Sequence, residues 1–194
     1  MSREWIDHEG LAGEAVERIH ALKQAQSQPF ALNKIGHVVL RVQDMQRSVS
    51  FYANVLGFEI SDVYPDSMMP GGMVFMRCNR DHHGIALVGG ASGPTRGEEL
   101  HHLAFEVSTL REVLAARDHL RAHDVPIGFE GRRRAGCQIA VEFSDPDGHQ
   151  LEIYWGLDRL DPGQRGRPAT QWRPASTLEA AIADPPSGQD TRLD

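Results

Sequence analysis

Leu100-His101-His102-Leu103-Ala104-Phe105-Glu106-Val107 alternates with period two, the repeat of a strand. Leu103, Phe105 and Val107 fall on one face and His102, Ala104 and Glu106 on the other. Core packing explains poorly an imidazole on the non-apolar face. Two further stretches carry the same signature, Gly36-His37-Val38-Val39-Leu40-Arg41-Val42 and Gln150-Leu151-Glu152-Ile153-Tyr154-Trp155. The expectation is that His37, His102 and Glu152 meet on one divalent metal.

Outward from these strands the chain reads as two copies of one unit. Ile35–Val42 is the first strand, and Asp44 is placed to cap a helix over 45–56 that Gly57 stops. Strands follow over 58–64, 73–78 and 84–88, and the glycine-rich stretch 89–94 links to the second unit. There the order repeats, with strand 100–107, helix 109–123 and strands near 126–129, 137–143 and 149–155. The turn Asp145-Pro146-Asp147-Gly148 precedes the last of these. The fold class expected is α+β: two tandem βαβββ modules, 35–90 and 99–157, forming a curved mixed sheet around a metal site. Superposing the units lays His37 on His102 and Ala86 on Glu152. A doubled module could offer four donors, and here the fourth is alanine. Two histidines and one carboxylate with open positions suit non-haem Fe(II) chemistry, and zinc with an activated water is the other reading.

The 194 residues, 40% of them apolar and 24% charged, are those of an ordinary globular chain. A net charge of −7 argues against nucleic acid as a partner. No apolar run is long enough to span a bilayer, and the N-terminus lacks a signal-peptide stretch. Cys78 and Cys137 read as reduced thiols, which suits the cytoplasm. Arg132-Arg133-Arg134 reads as a solvated loop, with anchoring of an anionic substrate as the alternative. Residues 1–33 form a helical arm, amphipathic over about 9–26, packed on the domain or on a second subunit, so a homodimer or higher homo-oligomer is expected. His8, His20, His119 and His123 read as surface residues, and His149 as structural. His101 has the parity of the apolar face and reads as partly buried. Glu106 and Arg41 read as a pair or as rim residues. Residues 158–194 are a polar tail with a short helix through Ile182 that Ser176 caps, poorly ordered from about Pro185 unless a partner holds it.

The residues assembled resemble the vicinal oxygen chelate superfamily (glyoxalase, bleomycin resistance and dioxygenase proteins), over about 35–157. Among its members the chain is most similar to a one-domain type I extradiol ring-cleaving dioxygenase. The matching pieces are Gly36-His37-Val38-Val39-Leu40, Phe51-Tyr52 through Val55-Leu56-Gly57-Phe58, and Arg77-Cys78-Asn79 leading to His82-His83 and Ile85-Ala86-Leu87. Leu100 through Phe105 and Asp145 through Tyr154 complete the set. The resemblance implies Fe(II) (alternatively Mn, Zn, Ni or Co) on His37, His102 and Glu152, O2 as co-substrate, and a small aromatic diol as substrate. It also implies His83 as the catalytic acid and base. Strict alternation with Ala86 would select His82 instead. Glu142 stands where the family commonly has a tyrosine, and Arg132-Arg133-Arg134 where it commonly has another histidine. Tyr154, His82, Glu142 and Phe75 are the remaining expected pocket residues. The rival functions are another metalloenzyme of the superfamily (isomerase, epimerase or thiol transferase) and a non-enzymatic small-molecule binding or resistance protein.

Overall fold

Asp44 accepts a hydrogen bond from the Arg47 amide and starts a helix at Met45–Ser50 (α3). The helix then widens into a π turn, Phe51–Val55, which shifts its apolar face and lets Tyr52 become fully buried. This computed structural model describes residues 5–22, 29–30 and 32–193. Around α3 lie β1 (Val38–Arg41), β2 (Glu59–Tyr64), β3 (Met73–Arg77) and β4 (Ile85–Val88), in the sheet order β1-β4-β3-β2. The second module has β5 (Leu103–Glu106), α4 (Leu110–Ala122), β6 (Ile127–Arg132), β7 (Ile139–Ser144) and β8 (Gln150–Trp155), in the order β5-β8-β7-β6. A Thr109/Glu112 capping box opens α4. In each sheet the first strand runs parallel to the last, and the other pairs are antiparallel. The architecture is the doubled α+β unit expected from the repeat, resolved into two four-stranded sheets.

Each sheet buries one face. Leu110, Val113 and Leu120 of α4 share a core with Val141, Phe143 and Leu151. The opposite faces carry the polar residues. The modules meet through α3 and the turn between β7 and β8. Asp147 accepts from the Gln43 amide at 2.8 Å and from the Ser48 hydroxyl, while Asp145 accepts from the Tyr52 hydroxyl at 2.9 Å. Phe51 against Phe143 and Phe58 against Phe105 close the seam, with ring centroids 6.5 and 5.6 Å apart.

Four expectations are corrected. The N-terminal helix over 9–26 is broken into α1 (His8–Leu11) and α2 (Glu14–His20), because Ala12-Gly13 interrupts it; residues 23–28 lie outside the described residues. The C-terminal segment packs on the outer edge of the second sheet, where Leu178 and Ala181 of α5 (Leu178–Ala183) are fully buried and Pro186 and Thr191 are buried beyond it. Thr177, not Ser176, caps α5. The fourth correction concerns Arg132, which is not in a solvated loop but 1% exposed. Its Nη1 donates to the carbonyls of Arg173 (3.0 Å) and Asp184 (2.8 Å), and its Nη2 to Ala181 and Gln189. Gly131, at φ +139, allows this approach, since a Cβ there would stand 2.2 Å from the Ala175 carbonyl. Among the described residues no helix is long and apolar enough to cross a membrane.

Candidate metal centre

β5 and β8 pair in parallel with Ala104 opposite Glu152, so His102, just ahead of β5, comes to the Glu152 carboxylate. His102 Nε2 stands 3.6 Å from Glu152 Oε2. That is long for a hydrogen bond. It suits two donors on one cation, which at about 2.1 Å per bond lie up to about 4.2 Å apart. His102 Nδ1 is 2.7 Å from His101 Nδ1. If His102 donates at Nδ1, its Nε2 keeps the lone pair that a cation takes. Glu152 is 3% exposed. Burial raises the pKa of its carboxyl above the ordinary range, and the Glu142 charge adds to this, against lowering by the Gln138 hydrogen bond and the His102 and Arg133 charges. Among the described residues no guanidinium or ammonium pairs with this buried carboxylate, so it is a group that a cation would stabilise.

His37 stands in a separate cluster on the open face of the first module. Its ring lies 4.5 Å from that of His83, which is edge-on to Phe75 at 5.0 Å. A register shift between Ile60 and Asp62 turns Asp62 onto this face opposite Phe75. Asp62 Oδ2 lies 2.8 Å from His82 Nε2, and His82 Nδ1 lies 3.0 Å from His83 Nδ1. If His82 Nε2–H donates to the Asp62 carboxylate, His82 Nδ1 accepts from His83 Nδ1–H, and His83 Nε2 is left as a free base. Desolvation, then the His37 and His82 charges, lower the His83 pKa, which favours the neutral ring.

Among the described residues, no three His, Cys, Asp or Glu side chains gather closely enough to hold a metal ion. One chain therefore brings together His102 and Glu152, and His37 and His83, but does not join the two sets. Two donors of the expected three fit a cation within the chain.

Beside Glu152, Glu142 is the cross-strand neighbour on β7, and Phe129 on β6 is opposite Glu142. Arg133 Nε donates to Glu142 Oε1 at 2.6 Å and Nη2 to Oε2, while its guanidinium carbon lies 3.9 Å over the Phe129 ring. Tyr154 shares this face and is half-buried, its phenol pKa raised by burial and then by Glu106 and Glu152. His101 is exposed rather than partly buried, because the chain reaches the ladder only at Leu103. Glu106 pairs with Arg159, not Arg41. His149 is buried on Asp145 at 2.8 Å. His119 and His123 are exposed. Two site residues escaped the sequence pattern, Asp62 and Gln138 (3.4 Å from Glu152), and Arg133, read as part of a solvated loop or as an anion anchor, folds back onto the site. The apolar alternation that locates strands carries no signal for a bulge or for an arginine that folds back from a strand end.

Paired βαβββ units with histidines and a buried glutamate on their open faces define a class of α+β domain with a repeated unit. The chain belongs to the Glyoxalase/Bleomycin resistance protein/Dioxygenase superfamily, whose family model matches residues 34–153. It is 32% identical over 130 residues to biphenyl-2,3-diol 1,2-dioxygenase of Paraburkholderia xenovorans, covering 66% of this chain and 42% of that protein. It is 30% identical over 125 residues to 3-methylcatechol 2,3-dioxygenase of Pseudomonas putida, covering 63% and 42%. The chain thus spans less than half the length of these relatives. Among solved structures, the fosfomycin resistance protein FosX of Listeria monocytogenes shares the fold, with a TM-score of 0.55 and 23% identity over 66% of this chain and 96% of that one.

Proposed function

We propose that the protein is an extradiol dioxygenase that cleaves a catechol-type diol with O2 on Fe(II), held by His37, His102 and Glu152. The observation that carries the reading is the His102–Glu152 pair, two metal donors 3.6 Å apart with the carboxylate buried. The likeness to diol dioxygenases supports the reaction class. The cation, when bound, supplies a Lewis-acid and redox-active centre for the diol and O2. The chain's own residues do the rest. His102 and Glu152 fix the cation against the second sheet, with Gln138 steadying the carboxylate. His83 takes a proton from the substrate at Nε2 and returns it, its ring oriented by His82 and Asp62.

Since His37 stands apart from the pair within one chain, a second copy supplies it. β1 and β5 are both edge strands, and Val39 on β1 is 47% exposed. A two-fold assembly would bring His37 of each copy to the His102–Glu152 pair of the other and form two equal sites. Mixing tests this. His37→Ala and Glu152→Ala should each lose bound metal, whereas the two reassociated together should regain it at about a quarter of the sites. No recovery, or a monomer by light scattering, overturns assembly between copies.

Oxygen uptake by the Fe(II)-loaded protein with catechols tests the reaction. Retention of another metal without uptake would assign it to an isomerase, epimerase or thiol transferase of the superfamily. Failure to hold any metal would make it a binding protein.

A further inference from the structure

We propose that Arg133 selects the substrate, binding a carboxylate on the diol, so that the protein takes an acid-bearing catechol in preference to a neutral one. This rests on the diol reading of the site. The three consecutive arginines separate cleanly. Arg132 points inward and spends its donors on the C-terminal segment, and Arg134 donates to the Trp5 carbonyl. Arg133 alone of the three turns onto the open face that holds Glu152.

Its setting is that of an anion receptor. Nε and Nη2 form one fork of the guanidinium, and Glu142 occupies it with both oxygens. The plane is steadied by the Phe129 ring at 3.9 Å. Held this way, the second fork, at Nη1, has no hydrogen-bond partner among the described residues, and the side chain is 32% exposed. A planar fork fixed in advance matches a carboxylate and loses little freedom on binding one. Glu142 lies directly across from Glu152, so Arg133 reaches the row of side chains that runs to the metal donors, with neighbouring strands about 4.8 Å apart. A diol on a cation held by Glu152 and His102 would extend its ring over that distance.

The test is calorimetric binding to the Fe(II)-loaded protein without oxygen, comparing 3,4-dihydroxybenzoate with its neutral isostere 3,4-dihydroxybenzamide. The acid should bind about 10–100-fold more tightly, as a charge-assisted pair allows. Arg133→Gln should erase that preference with little change for the amide. Glu142→Gln should increase it, because Arg133 is then no longer neutralised. Opposite responses from two contacting residues would not arise from mere loss of structure. Equal binding of acid and amide by the wild type, or a preference unchanged in Arg133→Gln, overturns the proposal. If neither diol binds, the diol reading fails. The arginine is then judged on benzoate against benzamide, where an Arg133-dependent preference for benzoate sustains it and equal binding overturns it.

Discussion

Laid over one another, the two modules match Val39, Ala86, Phe75 and Asp62 of one open face with Ala104, Glu152, Glu142 and Phe129 of the other. The backbones agree even in a register shift on the outermost strand, between Ile60 and Asp62 and between Ile127 and Phe129. The side chains do not. Where the first row has an aromatic ring backed by an acid, the second has an acid backed by an aromatic ring. Where the first has Ala86, the second has the buried Glu152. One frame thus holds two chemistries: a face of stacked histidines able to move a proton, and a face of carboxylates able to hold a cation.

The largest expected effect breaks the comparison at that centre. Glu152→Ala should lower divalent-metal affinity by at least about 100-fold, beyond the 10–100-fold typical of outer-sphere changes. Phe75→Ala, on the corresponding row of the first module, should leave it nearly unchanged. Metal content after dialysis against a chelator reads both.

A smaller effect separates the turns before β4 and β8. Asp147→Ala strips acceptors from the Gln43 amide and the Ser48 hydroxyl and should cost about 3 kcal/mol, or about 6–12 °C in Tm. Asp81→Ala in the first module removes an exposed pair with Lys34 and should cost less than about 1 kcal/mol.

Acid should reveal the same asymmetry. Burial would raise the Asp147 pKa, but hydrogen bonds from Ser48 and Gln43, with the Arg47 charge, hold it below the ordinary 3.8. Its stabilisation is complete above that unfolded value and is lost as pH falls through the lower folded one. Asp147→Asn should flatten the stability profile in that window, as followed by urea denaturation. Glu152 has the opposite sign. Its pKa is raised, so its ionisation weighs against the fold increasingly as pH rises from the unfolded value through the folded one. Glu152→Gln should therefore stabilise the metal-free protein at neutral pH by on the order of 1 kcal/mol, read as a Tm gain of about 2–4 °C.

Period-two alternation and turn residues were enough to read both modules and to match Ala86 with Glu152, because apolar faces leave a local pattern. Asp145 and Asp147 read as turn formers, and nothing local showed that their carboxylates would lock the modules together. The His102–Glu152 approach follows from parallel pairing of β5 with β8, which the repeat already implies. The separation of His37 from that pair depends on how the modules sit against each other, and strand periodicity does not encode that. Arg132 and Arg133 are adjacent and alike in sequence. Alternation turns the two to opposite faces, and a C-terminal segment more than forty residues away covers the face that holds Arg132.

That segment has a practical cost for anyone trimming the protein to its family domain. Cleavage after Gly156 would leave the Arg132 guanidinium without its carbonyl acceptors and strip the cover from the β6 edge. The shortened form should then be prone to precipitate, its bared margin inviting strands from other molecules.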